Sequence, residues 1–204
     1  MIIAGAGGHG MEVHYILIQE GINSSDFFFF DENPESVKRK GINSPVLFEL
    51  AHVQNHFKTN PRFVLGVGNP AQREKLFHLL NSLGGCFHGI RSNYFIDNSN
   101  SSPLFDAMPY SFVGPETKIG RGVLINTRAH VHHECEVGEF SEIGPGAMLL
   151  GGSKIGKSCR IGAGAVVLPG VELGDEVVVG AGAVVTKSVI EKSTLVGVPA
   201  KSIS

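Results

Sequence analysis

Residues 113–185 read VGPETK IGRGVL INTRAH VHHECE VGEFSE IGPGAM LLGGSK IGKSCR IGAGAV VLPGVE LGDEVV VGAGAV V, and this division into sixes decides the fold. The first residue of each block is aliphatic thirteen times running, from Val113 to Val185. Glycine follows it in eight blocks, and the fifth residue is small or Val, as at Thr117, Cys135, Ser153 and Cys159. An ordinary β-sandwich does not carry a strict period of six through its turns, so the period marks a repeat architecture. Each hexad supplies one short strand and one corner, and three make a triangular coil. Stacked coils sit about 4.8 Å apart and exchange parallel-sheet hydrogen bonds. The aliphatic and small residues point inward, and glycine relaxes the backbone at the corners. Cys135 and Cys159 are then interior fillers, not nucleophiles or metal ligands.

Working outward, the composition changes near residue 112. Of 13 phenylalanines only Phe140 lies beyond Phe112, whereas 15 of the 27 glycines fall within 113–185. Two regimes imply two domains: a small α/β domain over 1–92, a connecting segment with a first irregular coil over 93–112, the repeat domain over 113–190, and a closing segment over 191–204. The Asn-, Ser- and Pro-rich stretch Asn98–Pro109 is the boundary zone. Lys+Arg 17 against Asp+Glu 19 excludes a nucleic-acid binder that relies on a basic field. A hydrophobic share of 42% excludes a disordered chain, and no apolar run approaches the roughly 20 residues of a membrane span. Met1-Ile2-Ile3-Ala4-Gly5 lacks the basic region of a signal peptide, and three cysteines fit reduced thiols, so a cytoplasmic location is expected.

The first ninety residues alternate strands with helices. Met1–Ala4 reads as a strand, Met11–Glu20 as a helix, Phe27–Phe30 and Phe63–Val67 as strands, a helix follows to about Ser82, and Phe87–Ile90 is a fourth strand. Gly5, Gly7 and Gly10 satisfy G-x-G-x-x-G, and Asp31 stands where a ribose-binding acid belongs. The physical content is narrower than NAD: a glycine turn and a helix N-terminus whose free N–H groups face a phosphate. Such a turn does not distinguish NAD from another nucleotide diphosphate, but ninety residues make only a Rossmann-like half domain, which argues against NAD. His9 inside the loop points to a ligand there.

Taken together, Gly5–Gly10, Phe30-Asp31-Glu32, Gly66-Val67-Gly68-Asn69 with Arg73, the hexads and Gly197-Val198-Pro199-Ala200-Lys201 resemble the sialic acid O-acetyltransferase-like family of hexapeptide-repeat sugar acyltransferases. Ile125-Asn126-Thr127 followed by Val131-His132-His133-Glu134-Cys135 resembles the family's segment in which a histidine before an acidic residue and a cysteine is the general base. The resemblance implies a left-handed parallel β-helix; the chain alone would suggest the usual right-handed crossover. It implies an acetyl-CoA-dependent N-acetyltransferase acting on a nucleotide-linked 4-amino-4,6-dideoxy sugar, as in the bacillosamine, perosamine and viosamine pathways. It further implies no metal, and a homotrimer with active sites between subunits. His133 would be the base and Glu134 its assistant. Gly7, Gly8 and His9 would line the diphosphate, Asp31 and Glu32 the nucleoside end, and Gly68 the pocket floor. On the acetyl-CoA side, Ala163 and Ala181 would flank the pantetheine arm and Gly151 would be an oxyanion donor. Glu142 stands where the family often has a second histidine near acetyl-CoA, a departure that leaves its role there open.

The implied chemistry suits a histidine. A sugar amine is largely ammonium at pH 7 and must lose a proton before it attacks a thioester, and an imidazole oriented by a carboxylate is fitted to take it. Other readings stay open: O-acetylation of a sugar or sialic acid hydroxyl, and, from another class, a nucleotide-binding or NAD-dependent protein with a structural β-helix. The cluster His130, His132, His133 raises a zinc site of the carbonic anhydrase kind, but that needs ligands about a coil apart and no histidine follows His133. His130 and His132 flank the inward Val131 and should point outward.

Overall fold

The computed structural model describes residues 1–34, 44–99, 101 and 104–203. They divide into two compact units, Met1–Gly68 with Gln72–His88, and Gly89–Ser204 with Asn69–Ala71. In the first, strands β1 (Ile2–Ala4), β2 (Phe28–Phe30), β3 (Val46–Leu47), β4 (Arg62–Leu65) and β5 (Cys86–Phe87) form one parallel sheet in the order β3-β2-β1-β4-β5. Its helices are α1 (Gly8–Gln19), α2 (Leu50–Phe57) and α3 (Pro70–Ser82). β1 and all of β4 but Arg62 are buried, as uninterrupted apolar runs in a parallel sheet should be. Phe63 gathers the rings of Phe57, Phe77 and Phe87 at 5.7–6.3 Å between centroids, which accounts for the aromatic bias of this half.

Three sequence expectations change here. Helix α1 begins at Gly8, not near Met11, so Gly8 and His9 belong to the first helical turn with Gly7 as N-cap. Glycine is a poor helix former, but the close approach of Gly10 to the Gly5 carbonyl overrides propensity. The fourth strand is Cys86–Phe87, ending earlier than Ile90. β3 and α2 were not foreseen, because two and eight residues are too short to establish a period.

The second unit is built from three sheets of seven, six and four strands, parallel but for the closing pair Thr194–Val196 and Lys201–Ser202. Strands pair with the strand eighteen residues on, three hexads to a coil: Leu124↔Glu142↔Arg160↔Val178, His130↔Met148↔Val166↔Val184 and Lys118↔Glu136↔Lys154↔Glu172. Every aliphatic of the series from Val113 to Val185 is at most 8% exposed and joins one core. Coiling already begins within the expected connecting segment, where Asp106–Ala107 pairs with Leu124–Ile125 and Ile96–Asp97 with Phe112–Val113. Residues 100, 102 and 103 of that segment, and Ser204 of the closing one, lie outside the described residues.

The corners refine the expectation about glycine. Left-handed backbone recurs every six residues from Tyr110 to Gly182, and seven of those residues are not glycine, among them Glu116, Glu134 and Phe140. The glycines that directly follow eight of the inward aliphatics serve another purpose. At Gly114 a Cβ would stand 2.7 Å from His133 N, and at Gly156 it would stand 2.5 Å from Gly174 C, so the next coil leaves no room for it. One glycine class answers to spacing and the other to φ. Outside the core, Lys118–Glu136, Lys154–Glu172 and Arg121–Glu139 pair across coils at 3.2, 2.8 and 2.8 Å. Such exposed pairs contribute little, while each buried aliphatic contributes about 1.5–3 kcal/mol, so the interior carries the stability. No helix among the described residues is long and apolar enough to cross a membrane.

Candidate active site

The corner 132–135 carries the candidate base His133. Inward Val131 ends a strand, inward Cys135 starts the next side, and left-handed Glu134 (φ 60) occupies the third position of the turn, as in a type II turn. That conformation folds the Glu134 carboxylate back on its neighbour, and Oε2 lies 2.8 Å from His133 Nδ1. An ionised carboxylate only accepts, so Nδ1 carries the hydrogen of this contact, and in the neutral tautomer that fits it the lone pair is on Nε2. Both side chains are exposed. Eighteen residues on, Gly151 stacks beneath the ring: a Cβ there would stand 2.6 Å from His133 Nε2. A groove opens beside Glu134, lined by Ser101, Glu116, Thr117, Lys118, Ile119 and Glu136.

The other repeat-domain candidates lie elsewhere on the same chain. Ala163 and Ala181 are exposed and occupy the corner between the seven- and six-stranded sheets, whereas His133 and Gly151 occupy the corner between the six- and four-stranded sheets. Within one chain the structure does not bring these two corners together. Glu142 lies on the seven-stranded sheet, 6% exposed, with Oε2 2.9 Å from Arg160 Nε. Its charge is thereby matched within the fold. His130 and His132 are half-buried around Phe112, with ring centroids 6.0 and 6.1 Å from it. Burial, then the charges of His130 and His133, lower the pKa of His132. Among the described residues no group of three or more His, Cys, Asp or Glu is arranged to hold a metal. Cys135 and Cys159 are buried, and burial pushes the Cys159 thiol up to about 11.

In the first unit the glycine turn closes the carboxyl ends of β1 and β4, where the strand order switches direction and ligands of α/β sheets bind. Asp31 holds this turn from within: its carboxylate accepts from Ala6 N and Asn33 N, both at 2.9 Å. Glu32 pairs with Lys75 at 2.6 Å. A Cβ at Gly66 would stand 2.7 Å from the Gly5 carbonyl oxygen, so this glycine is set by packing, and the fully buried Arg73 secures the adjoining loop by donating to Val67 O at 2.8 Å. Gly68 follows half-buried on the same loop. Gly7 differs, since a Cβ there would meet open space. Gly8 is exposed at the helix N-terminus. His9 lies against Glu12, Nδ1 to Oε2 3.2 Å, and its Nε2 is buried with no hydrogen-bond partner among the described residues.

A coil register of eighteen residues defines a class of fold, and known proteins share it. The family described as bacterial transferase hexapeptide (six repeats) matches residues 116–151 and 152–187, and the PglD N-terminal domain family matches residues 1–80. The chain is an acyltransferase, and over the matched stretches it resembles the hexapeptide-repeat and PglD N-terminal families. It is similar to the acetyltransferase domain of PglB from Neisseria gonorrhoeae, solved in complex with acetyl coenzyme A, at 26% identity over 99% of this chain and 98% of that one, with a TM-score of 0.84. It is also similar to a histidine-to-alanine variant of GDP-perosamine N-acetyltransferase from Caulobacter crescentus, in complex with CoA and GDP-perosamine, at 27% identity over 100% and 96% of the two chains with a TM-score of 0.86. WeeI from Acinetobacter baumannii matches at 25% identity over the full length of both chains, with a TM-score of 0.63.

Proposed function

We propose that this chain transfers the acetyl group of acetyl-CoA to the amino group of a nucleotide-linked 4-amino-4,6-dideoxy sugar, on a left-handed β-helix. The observation that carries the reading is His133, exposed, oriented by Glu134 at 2.8 Å and stacked over a residue without a side chain. His133 Nε2 takes a proton from the sugar ammonium, and the freed amine attacks the thioester carbonyl. The tetrahedral oxyanion is met by the Gly151 N–H. The C–S bond then breaks, the proton held by His133 passes to the departing thiolate, and the remaining excess proton on nitrogen is lost to solvent, leaving the neutral amide and coenzyme A thiol. No covalent enzyme intermediate is needed, and both cysteines of the repeat domain are buried.

Gly7, Gly8 and His9 receive the diphosphate: the helix N-terminus supplies unbonded N–H groups, Gly7 leaves space, and the orphan His9 Nε2 supplies a polar contact. Asp31 and Glu32 stand at the nucleoside end, and Gly68 forms the floor. Acetyl-CoA lies along Ala163 and Ala181, with Glu142 acting through Arg160. Because Ala163 and His133 occupy different corners, a second copy would complete each site, and the assembly proposed is a homotrimer. What supports this is the outward row of the six-stranded sheet, Ile96, Phe112, His130, Met148, Val166 and Val184, which carries no carboxylate, lysine or arginine.

Thiol release from acetyl-CoA with UDP-, dTDP- and GDP-linked 4-amino sugars tests the reading. An amide product is expected; turnover only with the 4-hydroxy analogues would assign O-acetylation instead. Gly8→Val should raise KM for the nucleotide sugar about tenfold or more and leave acetyl-CoA binding unchanged, since it crowds only the helix N-terminus. Micromolar binding of NAD by calorimetry would overturn the assignment of that turn.

A further inference from the structure

Thr117 touches no reacting group in this mechanism, yet its hydroxyl holds the turn that carries the base. We propose that Thr117 is a positioning residue for His133. The inference rests on His133 being the general base. Thr117 heads an interior column of one residue per coil, Thr117, Cys135, Ser153 and Val171, directly inside the His133 corner. It is 3% exposed, and a hydroxyl so buried must find an acceptor. The acceptor is the carbonyl oxygen of His132, at 2.8 Å.

That carbonyl belongs to the peptide bond joining His132 to His133. The peptide is planar, so fixing its C=O fixes the direction of the N–Cα bond from which the imidazole hangs. The following peptide is held as well, since Gly152 N donates to His133 O and Glu134 N to Pro115 O, each at 3.0 Å. The base is thus held by the coil before and the coil after. One coil on, the Cys135 thiol repeats the bond more weakly, Sγ to Leu150 O at 3.3 Å, on the peptide that leads into Gly151. The fold also contains its own control. Cys159 makes the same bond to Gly174 O at 3.0 Å, at a corner with no histidine.

Thr117→Val keeps the shape and removes the donor, and it should fold because valine already fills this column at Val171. Its kcat should fall about three- to tenfold while KM for both substrates stays put, as expected when a base is displaced by a fraction of an ångström. Thr117→Ser should restore kcat. Cys159→Val should lower Tm by a comparable amount with kcat unchanged, which separates positioning from mere stability. A readout independent of turnover is the His133 ring Cε1–H resonance in the NMR spectrum, expected to move in Thr117→Val and not in Cys159→Val. A normal kcat and an unmoved resonance in Thr117→Val overturn the proposal. If the wild type proves inactive while the resonance moves, the base assignment fails and the structural clamp stands.

Discussion

The six-stranded and four-stranded sheets of the coil have the same period, the same inward aliphatics and the same register, but their outward rows differ. The four-stranded sheet shows Lys118, Glu136, Lys154 and Glu172, all exposed and paired across coils. The six-stranded sheet shows Ile96, Phe112, His130, Met148, Val166 and Val184. Alternating charge keeps one face in water, because ion pairs gain little when buried and lose their hydration. A neutral row of this length is the kind of patch that another copy covers. The corner of His133 borders both faces, and the corner of Ala163 borders only the neutral side. Identical folding rules thus produce one charged face and one without charged pairs, and the proposed assembly uses the second.

The largest test sets the two faces against each other. Val166→Asp places a charge in the neutral row and should abolish assembly in sedimentation equilibrium together with nearly all turnover, while Lys154→Ala on the charged face should change neither. Equal loss in both variants would erase the distinction. Next comes the shared corner: His133→Ala should lower kcat by roughly 10²–10⁴-fold with both substrates still bound in calorimetry. Near-normal turnover would move the base elsewhere, with His132 the first suspect. Mixing inactive His133→Ala protein with inactive Ala181→Trp protein sharpens the point. If the site joins two copies, an equal mixture should regain about a quarter of the sites; no recovery means both residues serve within one copy.

The smallest effect concerns pH. His132 has its pKa held below 6.5 in the folded chain by burial and by His130 and His133, so the unfolded chain binds the extra proton more readily. The stabilisation is complete above pH 6.5 and is lost as the pH falls through that value toward the lower folded pKa. His14 and His56, lowered by burial in the α/β unit, act in the same direction. Differential scanning calorimetry from pH 7.5 to 5.5 should show Tm falling, and His132→Gln should flatten part of the slope. An unchanged slope would assign the pH response to the α/β unit.

Much of the repeat domain was legible because its signal is redundant. Thirteen aliphatics in register outvote any single misleading residue, such as Asn126 or His132 where glycine would be expected. The α/β unit was legible in outline only. β3 spans two residues and α2 eight, too few for a period, and the start of α1 was hidden by glycines that propensity reads as loop. At the site, the pairing of His133 with Glu134 was readable as adjacency. The burial of Glu142 against Arg160 was not, because an outward position in a strand is ordinarily exposed.

Period six is a property of covalent order, and with it came the coil, the inward positions and the filler role of the cysteines. Geometry beyond the period had to come from packing. Only in three dimensions does it emerge that a glycine after an inward aliphatic, as at Gly114 and Gly156, answers to the backbone of the next coil, while the left-handed residue two places further on need not be glycine. The same holds for Asp31, whose carboxylate is engaged by Ala6 and Asn33, and for Ala163 and His133, which stand on separate corners. A sequence records which residues recur; which backbone atoms crowd a missing Cβ, and which donors reach a carboxylate, depend on neighbours eighteen or more residues away.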